Sequence, residues 1–284
     1  MDGDDRQLGD PEAIAPYSLL PLRPALVKAF SVPGCRAVYA VTFGLDGNAL
    51  AAADGNGRAY LWDLVRGELA RTFVPRRSGG LNGVAFGLGG DLLAAASGNG
   101  HVYLWDVVSG QAAGSYVIPG RATVYSVTFG PSGTVLAAAC GNGWVYLWDM
   151  ATRGLIGAFV GPGSRGVNEV AFGPGGAMLA AADGNGQVYL WDVASGALTG
   201  TFADPASRGV NGVAFGPDGA MLAAADGNGQ VCLWDVAGGG LARAFPDPAS
   251  RGVNGVAFAP AGDLLATADG NGCTYLWRIS PRAT

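Results

Sequence analysis

The sequence predicts an all-β protein, a six-bladed β-propeller with four antiparallel strands in each blade. Two observations carry this prediction: a pattern that recurs every 43 residues, and four short strand signals within each copy. Three residue types keep the same spacing, which leaves little room for chance. They are Trp62, Trp105, Trp148, Trp191, Trp234 and Trp277; Phe43, Phe86, Phe129, Phe172, Phe215 and Phe258; and Asn56, Asn99, Asn142, Asn185, Asn228 and Asn271.

One copy of the repeat contains four strand signals. VNGVAF (210–215) is short and rich in valine, AMLAAA (220–225) is apolar and small, QVCLWDV (230–236) is apolar, and LARAF (241–245) alternates. The turn sequences GPDG, DGNG and AGGG separate these strands. In DGNG the Asn-Gly pair predicts a tight hairpin, because both residues tolerate positive φ angles. Four antiparallel strands in such a copy form one propeller blade.

The third strand of each copy carries a family resemblance. Its Tyr-Leu-Trp-Asp sequence resembles the Trp-Asp dipeptide that ends the third strand in WD-repeat β-propellers, and the FGPDG stretch resembles the family's first turn. The sixth copy departs, because Arg278 replaces the aspartate. The resemblance spans roughly residues 26–284 and implies a propeller that binds other proteins. The copies are YLWDL (60–64), YLWDV (103–107), YLWDM (146–150), YLWDV (189–193), CLWDV (232–236) and YLWRI (275–279).

The two ends of the chain predict how the ring closes. The last copy ends at its third strand, while LVKAF (26–30) aligns with LARTF (69–73) one period later. We therefore expect the N-terminal strand to complete the last blade, leaving no open end of the stack. Residues 15–284 are predicted to form a single propeller, with the apolar residues 15–25 packed on it. The acidic residues 1–14 are expected to be disordered.

Composition narrows the class of protein. The net charge of −5 argues against nucleic acid, and the chain has no apolar run long enough to span a bilayer. Its first residues are acidic and do not form a signal peptide, so we expect a cytoplasmic protein. The four cysteines have no close spacing and are expected to be reduced and packed. They are Cys35, Cys140, Cys232 and Cys273.

The polar pattern departs from the family in one respect. WD-repeat proteins commonly carry a histidine before the first strand, and this histidine joins a buried network with the tryptophan and the aspartate. The only histidine here, His101, lies elsewhere. Four blades instead carry both an arginine before the first strand and an aspartate in the second hairpin. Blades two and three lack both residues. We predict ion pairs, worth only ~0–1 kcal/mol if exposed. If the pairs are partly buried, removing one partner should cost on the order of 3 kcal/mol, so that Arg208→Ala destabilises more than Arg77→Ala. The pairs are Arg36–Asp54, Arg165–Asp183, Arg208–Asp226 and Arg251–Asp269.

The residues that interrupt the repeat predict where a partner binds. In a propeller, the second hairpins and the loops before the first strands surround one mouth of the channel. Blades one to three carry arginines and aromatic residues there, and these are frequent anchors of interfaces. Glu169 stands where other copies have small residues. The predicted binding residues are Tyr39, Arg58, Arg76, Arg77, His101, Arg121, Tyr125, Trp144 and Glu169.

Other motifs are discounted. GNG precedes a strand, whereas a dinucleotide-binding turn opens a helix. DGNG lacks the glutamate of a calcium loop, because its twelfth position is Val65 in the first copy and Ala194 in the fourth. With a single histidine the chain offers no two-histidine metal site, and nothing near His101 indicates a Ser-His-Asp triad. We expect no cofactor and no metal.

Three functions stay open. The first is a non-enzymatic scaffold that binds a protein or peptide, with no nucleic acid or membrane partner. The second is a small-molecule binder or enzyme at the channel mouth, with Glu169 and His101 as its catalytic candidates. The third is a sensory or structural domain of a larger regulator. Candidate groups for the second are Tyr39, Glu169, Tyr125, His101 and Arg121.

Overall fold

The computed structural model describes residues 30, 34, 37–44, 46–77, 79–203, 207–247, 252–270 and 274–279. These residues form six antiparallel sheets, the blades of a β-propeller. Blade one contains β1 (Val38–Phe43), β2 (Ala49–Asp54), β3 (Ala59–Asp63) and β4 (Glu68–Phe73). Blade two contains β5 (Leu81–Phe86), β6 (Leu92–Ser97), β7 (His101–Asp106) and β8 (Ala112–Val117). A 3-10 turn, Pro119–Arg121, leads into blade three, with β9 (Val124–Phe129), β10 (Val135–Cys140), β11 (Trp144–Asp149) and β12 (Leu155–Val160).

The second half of the chain repeats the same unit. Blade four contains β13 (Val167–Phe172), β14 (Met178–Asp183), β15 (Gln187–Asp192) and β16 (Leu198–Ala203). Blade five contains β17 (Val210–Phe215), β18 (Met221–Asp226), β19 (Gln230–Asp235) and β20 (Leu241–Pro246). Blade six contains β21 (Val253–Phe258), β22 (Leu264–Asp269) and β23 (Thr274–Arg278).

Strands follow one another across each sheet in chain order, from an innermost to an outer strand. The first strands of neighbouring blades contact each other from β1 through β5, β9, β13 and β17 to β21, so they line the centre of the ring. In blades one to five, most residues of the second strands are buried on both faces of the sheet. Their alanines, such as Ala180, Ala181 and Ala182, are fully buried. Small side chains at these positions let adjacent sheets pack closely.

Neighbouring blades are joined by one repeated aromatic contact. An aromatic residue of each outer strand packs against the tryptophan of the next blade. Phe30 makes this contact with Trp62 of blade one, which agrees with the predicted closure by strand 26–30. The rest of that strand, the predicted disordered residues 1–14 and the apolar residues 15–25 lie outside the described residues. The contacts are Phe30–Trp62, Phe73–Trp105, Tyr116–Trp148, Phe159–Trp191, Phe202–Trp234 and Phe245–Trp277, with ring centroids 4.6 to 5.8 Å apart.

The second hairpins form, but their turns differ from the prediction. In blade one the backbone N–H of Gly57 donates to the carbonyl of Asp54 at 3.0 Å. Gly57 has a φ of 80°, whereas Asn56 keeps a negative φ. Only the glycine therefore needs the left-handed region, as in a turn followed by a glycine bulge. The asparagine instead uses its side chain, and its amide donates to the carbonyl of Gly34 at 2.6 Å.

Each second hairpin is tied to the loop before the first strand of its own blade. In all six blades, the N–H of the glycine that begins the hairpin donates to a loop carbonyl at 2.8 to 3.0 Å. The hairpins and these loops therefore lie on one side of the ring, which we call the hairpin face. The bonds are Gly55–Ala37, Gly98–Gly80, Gly141–Thr123, Gly184–Gly166, Gly227–Gly209 and Gly270–Gly252.

The predicted ion pairs are wrong where the structure describes both partners. In blade four, Asp183 accepts hydrogen bonds from the backbone N–H of Arg165 at 3.0 Å and from the hydroxyl of Ser164. Neither Arg165–Asp183 nor Arg208–Asp226 forms an ion pair within the described ranges, and both arginines are exposed. The nearby N–H and hydroxyl groups satisfy the Asp183 carboxylate, so it needs no guanidinium. Arg36 and Arg251 lie outside the described residues, and so do their predicted pairs with Asp54 and Asp269.

The correction reverses one stability prediction. Arg208 and Arg77 are both exposed, and neither guanidinium pairs with a carboxylate in the part of the chain described. We therefore expect Arg208→Ala and Arg77→Ala to have equally small effects, within about 0.5 kcal/mol. Urea unfolding of the two variants beside wild type measures the difference. A clearly larger loss for Arg208→Ala would restore the ion pair.

Candidate functional site

The second residue of each first strand lies in a β-bulge. The register between first and second strands shifts at this position in every blade. A bulge re-aims a side chain out of the regular pleat. In three blades the bulged residue is an asparagine whose amide donates to a backbone carbonyl of the next blade. These bridges are Asn82 to Val124 at 2.8 Å, Asn168 to Val210 at 2.8 Å and Asn211 to Val253 at 2.9 Å.

Two tyrosines interrupt this series of bridges. Tyr39 and Tyr125 hold the bulged positions of blades one and three, and they are 61% and 42% exposed. The ring of Tyr125 lies over the hairpin of its own blade, where a Cβ on Gly141 would be 3.2 Å from it. A tyrosine has no amide with which to bridge the blades. Both tyrosines thus present aromatic surface at the hairpin face in place of a stabilising hydrogen bond.

Restoring the bridge should stabilise the ring. We expect Tyr125→Asn to donate to the carbonyl of Val167, the counterpart of Val124 and Val210, and to gain about 1 kcal/mol. Asn168→Ala is the matched opposite change and should cost about 1 to 3 kcal/mol, because the carbonyl of Val210 loses its donor. Thermal unfolding of both variants provides the measurement. If Tyr125→Asn destabilises as much as Asn168→Ala, the bridges do not set blade stability.

Trp144, Arg121 and Arg58 also lie on the hairpin face. Trp144 begins β11, is 37% exposed and stacks on Tyr146 with ring centroids 6.3 Å apart. Arg121 ends the 3-10 turn with a positive φ of 54°, and its backbone packs against Gly100 in the hairpin of blade two. Arg58 is exposed, and its backbone N–H donates to Asp54 at 2.9 Å. Tyr125 and Trp144 place exposed aromatic surface on the same blade.

Three predicted residues meet in one cleft between blades one and two. This cleft has a volume of about 800 Å³, and Arg76, Arg77 and His101 line it at the hairpin face. His101 is half-buried and stacks on Tyr103, with ring centroids 5.4 Å apart and planes 8° apart. Of the five groups considered for a small-molecule site, His101 is the only one that lines this cleft.

Glu169 occupies a constrained position in β13. It is half-buried, and its Oε2 accepts the backbone N–H of Val213 in blade five at 3.0 Å. The same oxygen fills the space beside Gly212, where a Cβ would lie 3.0 Å away. Burial raises the pKa of the Glu169 carboxyl to about 7, although the Val213 hydrogen bond lowers it. The Glu169 side chain therefore links blade four to the backbone of blade five.

The sequence did not reveal a buried hydrogen-bond chain in blade six. The indole N–H of Trp277 donates to the hydroxyl of Thr267 at 3.1 Å, and that hydroxyl donates to Asp247 at 2.9 Å. Burial raises the pKa of Asp247. One signal was available, because Thr267 replaces an alanine that every other second strand carries at this position. The chain supplies a polar link between blades five and six without a histidine.

The described ranges contain no group of three or more histidine, cysteine, aspartate or glutamate side chains that could hold a metal ion. Among the same residues, no helix has the length and apolar character needed to cross a membrane. Cys140 is fully buried in the core, and this burial raises the pKa of its thiol to about 12.

Comparison with known proteins identifies the family to which the chain belongs. The family model described as "WD domain, G-beta repeat" matches residues 67–106, 115–149, 154–192, 196–235 and 241–278, which together cover more than half of the chain. Most of these stretches begin at or near the outer strand of one blade, and all five end near the Trp-Asp position of the next. No curated protein sequence matches the chain. Family model, repeat and fold agree, and the chain belongs to the WD-repeat family of β-propellers.

Proposed function

We propose that this protein is a non-enzymatic scaffold that binds a protein or peptide on its hairpin face. One observation carries the proposal: Tyr125 takes the place of a bridging asparagine and, like Trp144 of the same blade, exposes its ring at the hairpin face. Aromatic side chains with large exposed surface are frequent anchors of protein interfaces. Because the chain carries a net charge of −5, we infer a protein or peptide partner rather than a nucleic acid.

The tyrosines of blades one and three replace a stabilising hydrogen bond, and this strengthens the inference. Three blades show that an asparagine fits the bulge and bridges to the next blade. Blades one and three use tyrosines there and forgo that hydrogen bond. Positions where a chain breaks its own stabilising pattern are expected at functional sites. Propellers of the WD-repeat family commonly serve as protein-interaction scaffolds, which agrees with this reading.

A second function, a small-molecule site at the channel mouth, is favoured by the raised pKa of Glu169 alone. A carboxyl group with a pKa of about 7 could act as a general acid or base. Its Oε2, however, accepts a backbone hydrogen bond from Val213. Tyr39, Tyr125 and Arg121 do not line the cleft that contains His101. The geometry therefore supports the scaffold better.

Reverting the two aromatic residues to the chain's own repeat tests the proposal. Tyr125→Asn and Trp144→Gln introduce residues that other blades carry at the same positions. The matched control is Leu155→Ala with Ile156→Ala, which removes exposed apolar side chains from the outer strand of the same blade. Each purified protein is used to capture partners from a lysate of the source cell, after its melting temperature has been compared with wild type.

We expect wild type and the outer-strand variant to capture the same protein, and the reverted variant to lose it while melting no earlier. Capture that survives the reversion, or that fails only in the outer-strand variant, would contradict the proposal. If no variant and no wild type captures a protein, the scaffold function is wrong and the channel mouth around Glu169 becomes the next target.

A further inference from the structure

The cleft between blades one and two combines an apolar wall with cationic residues at its mouth. Its wall contains Phe73, Leu104 and Trp105, and the contact between Phe73 and Trp105 joins the two blades. Arg76 and Arg77 line the end nearest the hairpin face. A volume of about 800 Å³ accommodates a few side chains of a ligand.

One residue in the linker contributes to the opening of the cleft. Gly161 precedes blade four, and a side chain there would overlap the ring of Tyr189, which is fully buried. The equivalent residue before blade two is Pro75, which is buried. A tyrosine in blade two is therefore excluded from the inner position that Tyr189 occupies. Accordingly, Tyr103 is half-buried and lines the cleft.

In blade three, the space that corresponds to the cleft of blade two is covered. Its linker carries the buried Ile118 at this position, and Trp144 stacks on Tyr146, which stays buried. In blade two the covering residue is His101, whose ring is smaller than an indole. The Tyr103 hydroxyl donates to the carbonyl of Arg77, which fixes the linker beside the opening. Pro75 and His101 together leave blade two with a preformed cleft.

The charges in this cleft are not balanced. Arg76 and Arg77 are exposed, and within the described ranges neither guanidinium forms an ion pair or a hydrogen bond. None of the described lining residues is acidic. A guanidinium group binds a carboxylate through two parallel hydrogen bonds, and two adjacent arginines favour an anionic ligand.

We propose that this cleft binds a short acidic peptide segment, with carboxylates at Arg76 and Arg77 and an aromatic or aliphatic side chain between the two blades. The stacked pair His101–Tyr103 forms the side of the cleft on which that segment lies. The proposal rests on the scaffold function and deepens it by assigning the chemistry of the partner. The cleft between blades one and two is then a second contact site for the partner, in addition to the aromatic surface of blade three.

Direct binding of a defined probe tests the proposal. Fluorescence anisotropy follows a short fluorescein-labelled peptide of glutamate and tyrosine, and a lysine and tyrosine peptide serves as the charge-reversed probe. Each is titrated with full-length wild type, with Arg76→Glu plus Arg77→Glu, and with Pro75→Gly. The matched control is Arg165→Glu plus Arg208→Glu, which makes the same charge change elsewhere on the hairpin face.

We expect wild type and the control variant to bind the acidic peptide equally, and the Arg76, Arg77 variant to bind it at least about tenfold more weakly. Pro75→Gly should also weaken binding, because Tyr103 can then move inward. Equal losses in both charge variants, preference for the lysine peptide, or no binding by wild type would overturn the proposal. Wild type that captures a lysate protein through Tyr125 and Trp144 but does not bind this peptide overturns only the cleft proposal.

Discussion

Replacing Trp191 with alanine is expected to destabilise the propeller by about 3 to 5 kcal/mol. Trp191 is 2% exposed and lies in β15, where it stacks on Phe159 of the preceding blade with ring centroids 5.8 Å apart. Its removal leaves a cavity between two blades and breaks the aromatic contact that each blade makes with the next. Rigid neighbouring strands limit how far the structure can collapse into that cavity.

Trp144→Ala provides the control for this prediction. It removes the same side chain from a position that is 37% exposed, and we expect a loss below about 1 kcal/mol. Urea unfolding followed by far-ultraviolet circular dichroism measures both free energies of unfolding. Equal losses for the two variants would show that the aromatic contacts between blades do not dominate the stability of the ring.

The second large effect concerns Glu169 and depends on pH. Its folded pKa of about 7 lies above the ordinary value of 4.5 for a free glutamate. The folded protein therefore holds a proton that the unfolded chain releases as pH rises. From this group the free energy of unfolding is highest below about pH 4.5, falls between about pH 4.5 and pH 7, and levels off above that range. The full loss is on the order of 3 kcal/mol.

Glu169→Gln removes this titration while keeping an oxygen that can accept the N–H of Val213. We expect the variant to match wild type near pH 4.5 and to be more stable at pH 8 by about 3 kcal/mol. Melting temperatures between these pH values provide the measurement, with Glu68→Gln at an exposed position as control. A wild type and a Glu169→Gln variant that lose stability in parallel with rising pH would exclude a Glu169 that is protonated in the folded protein.

The fold could be predicted from the sequence because its determinants are local and repeated. Strand signals, turn residues and the tryptophan spacing recur six times, so an error in one copy is corrected by the others. Strand ends differ by about one residue from the prediction, as for β20, which includes Pro246. The hairpin turns were harder, because sequence does not separate an asparagine chosen for positive φ from one chosen for its side-chain amide.

The site was less predictable because its contacts join distant residues. Arginine and aspartate occur together in four blades, yet in blade four the carboxylate binds a backbone N–H and a serine hydroxyl. Covariation within a copy cannot distinguish a side-chain partner from a backbone partner. Nothing in the structure explains why arginine accompanies aspartate in blades four and five. The asparagine bridges could have been suspected from the sequence, because asparagine is unusual within a strand.

The cleft shows a further limit of sequence reasoning. Arg76, Arg77 and His101 were predicted as binding residues, but their meeting in one cleft depends on the space beside Pro75. The effect of proline in place of glycine at this position becomes evident only from the packing of Tyr189 against Gly161. Such a comparison between blades needs coordinates, although every residue in it is visible in the sequence.

Site-specific photocrosslinking tests most directly whether the departures from the repeat form the binding surface. A photoreactive phenylalanine analogue is placed at position 144 in one protein and at position 155 in another, both exposed positions in blade three. The scaffold proposal predicts that a cellular protein is crosslinked from position 144 and not from position 155. Crosslinking from position 155 alone, or equally from both, would contradict it.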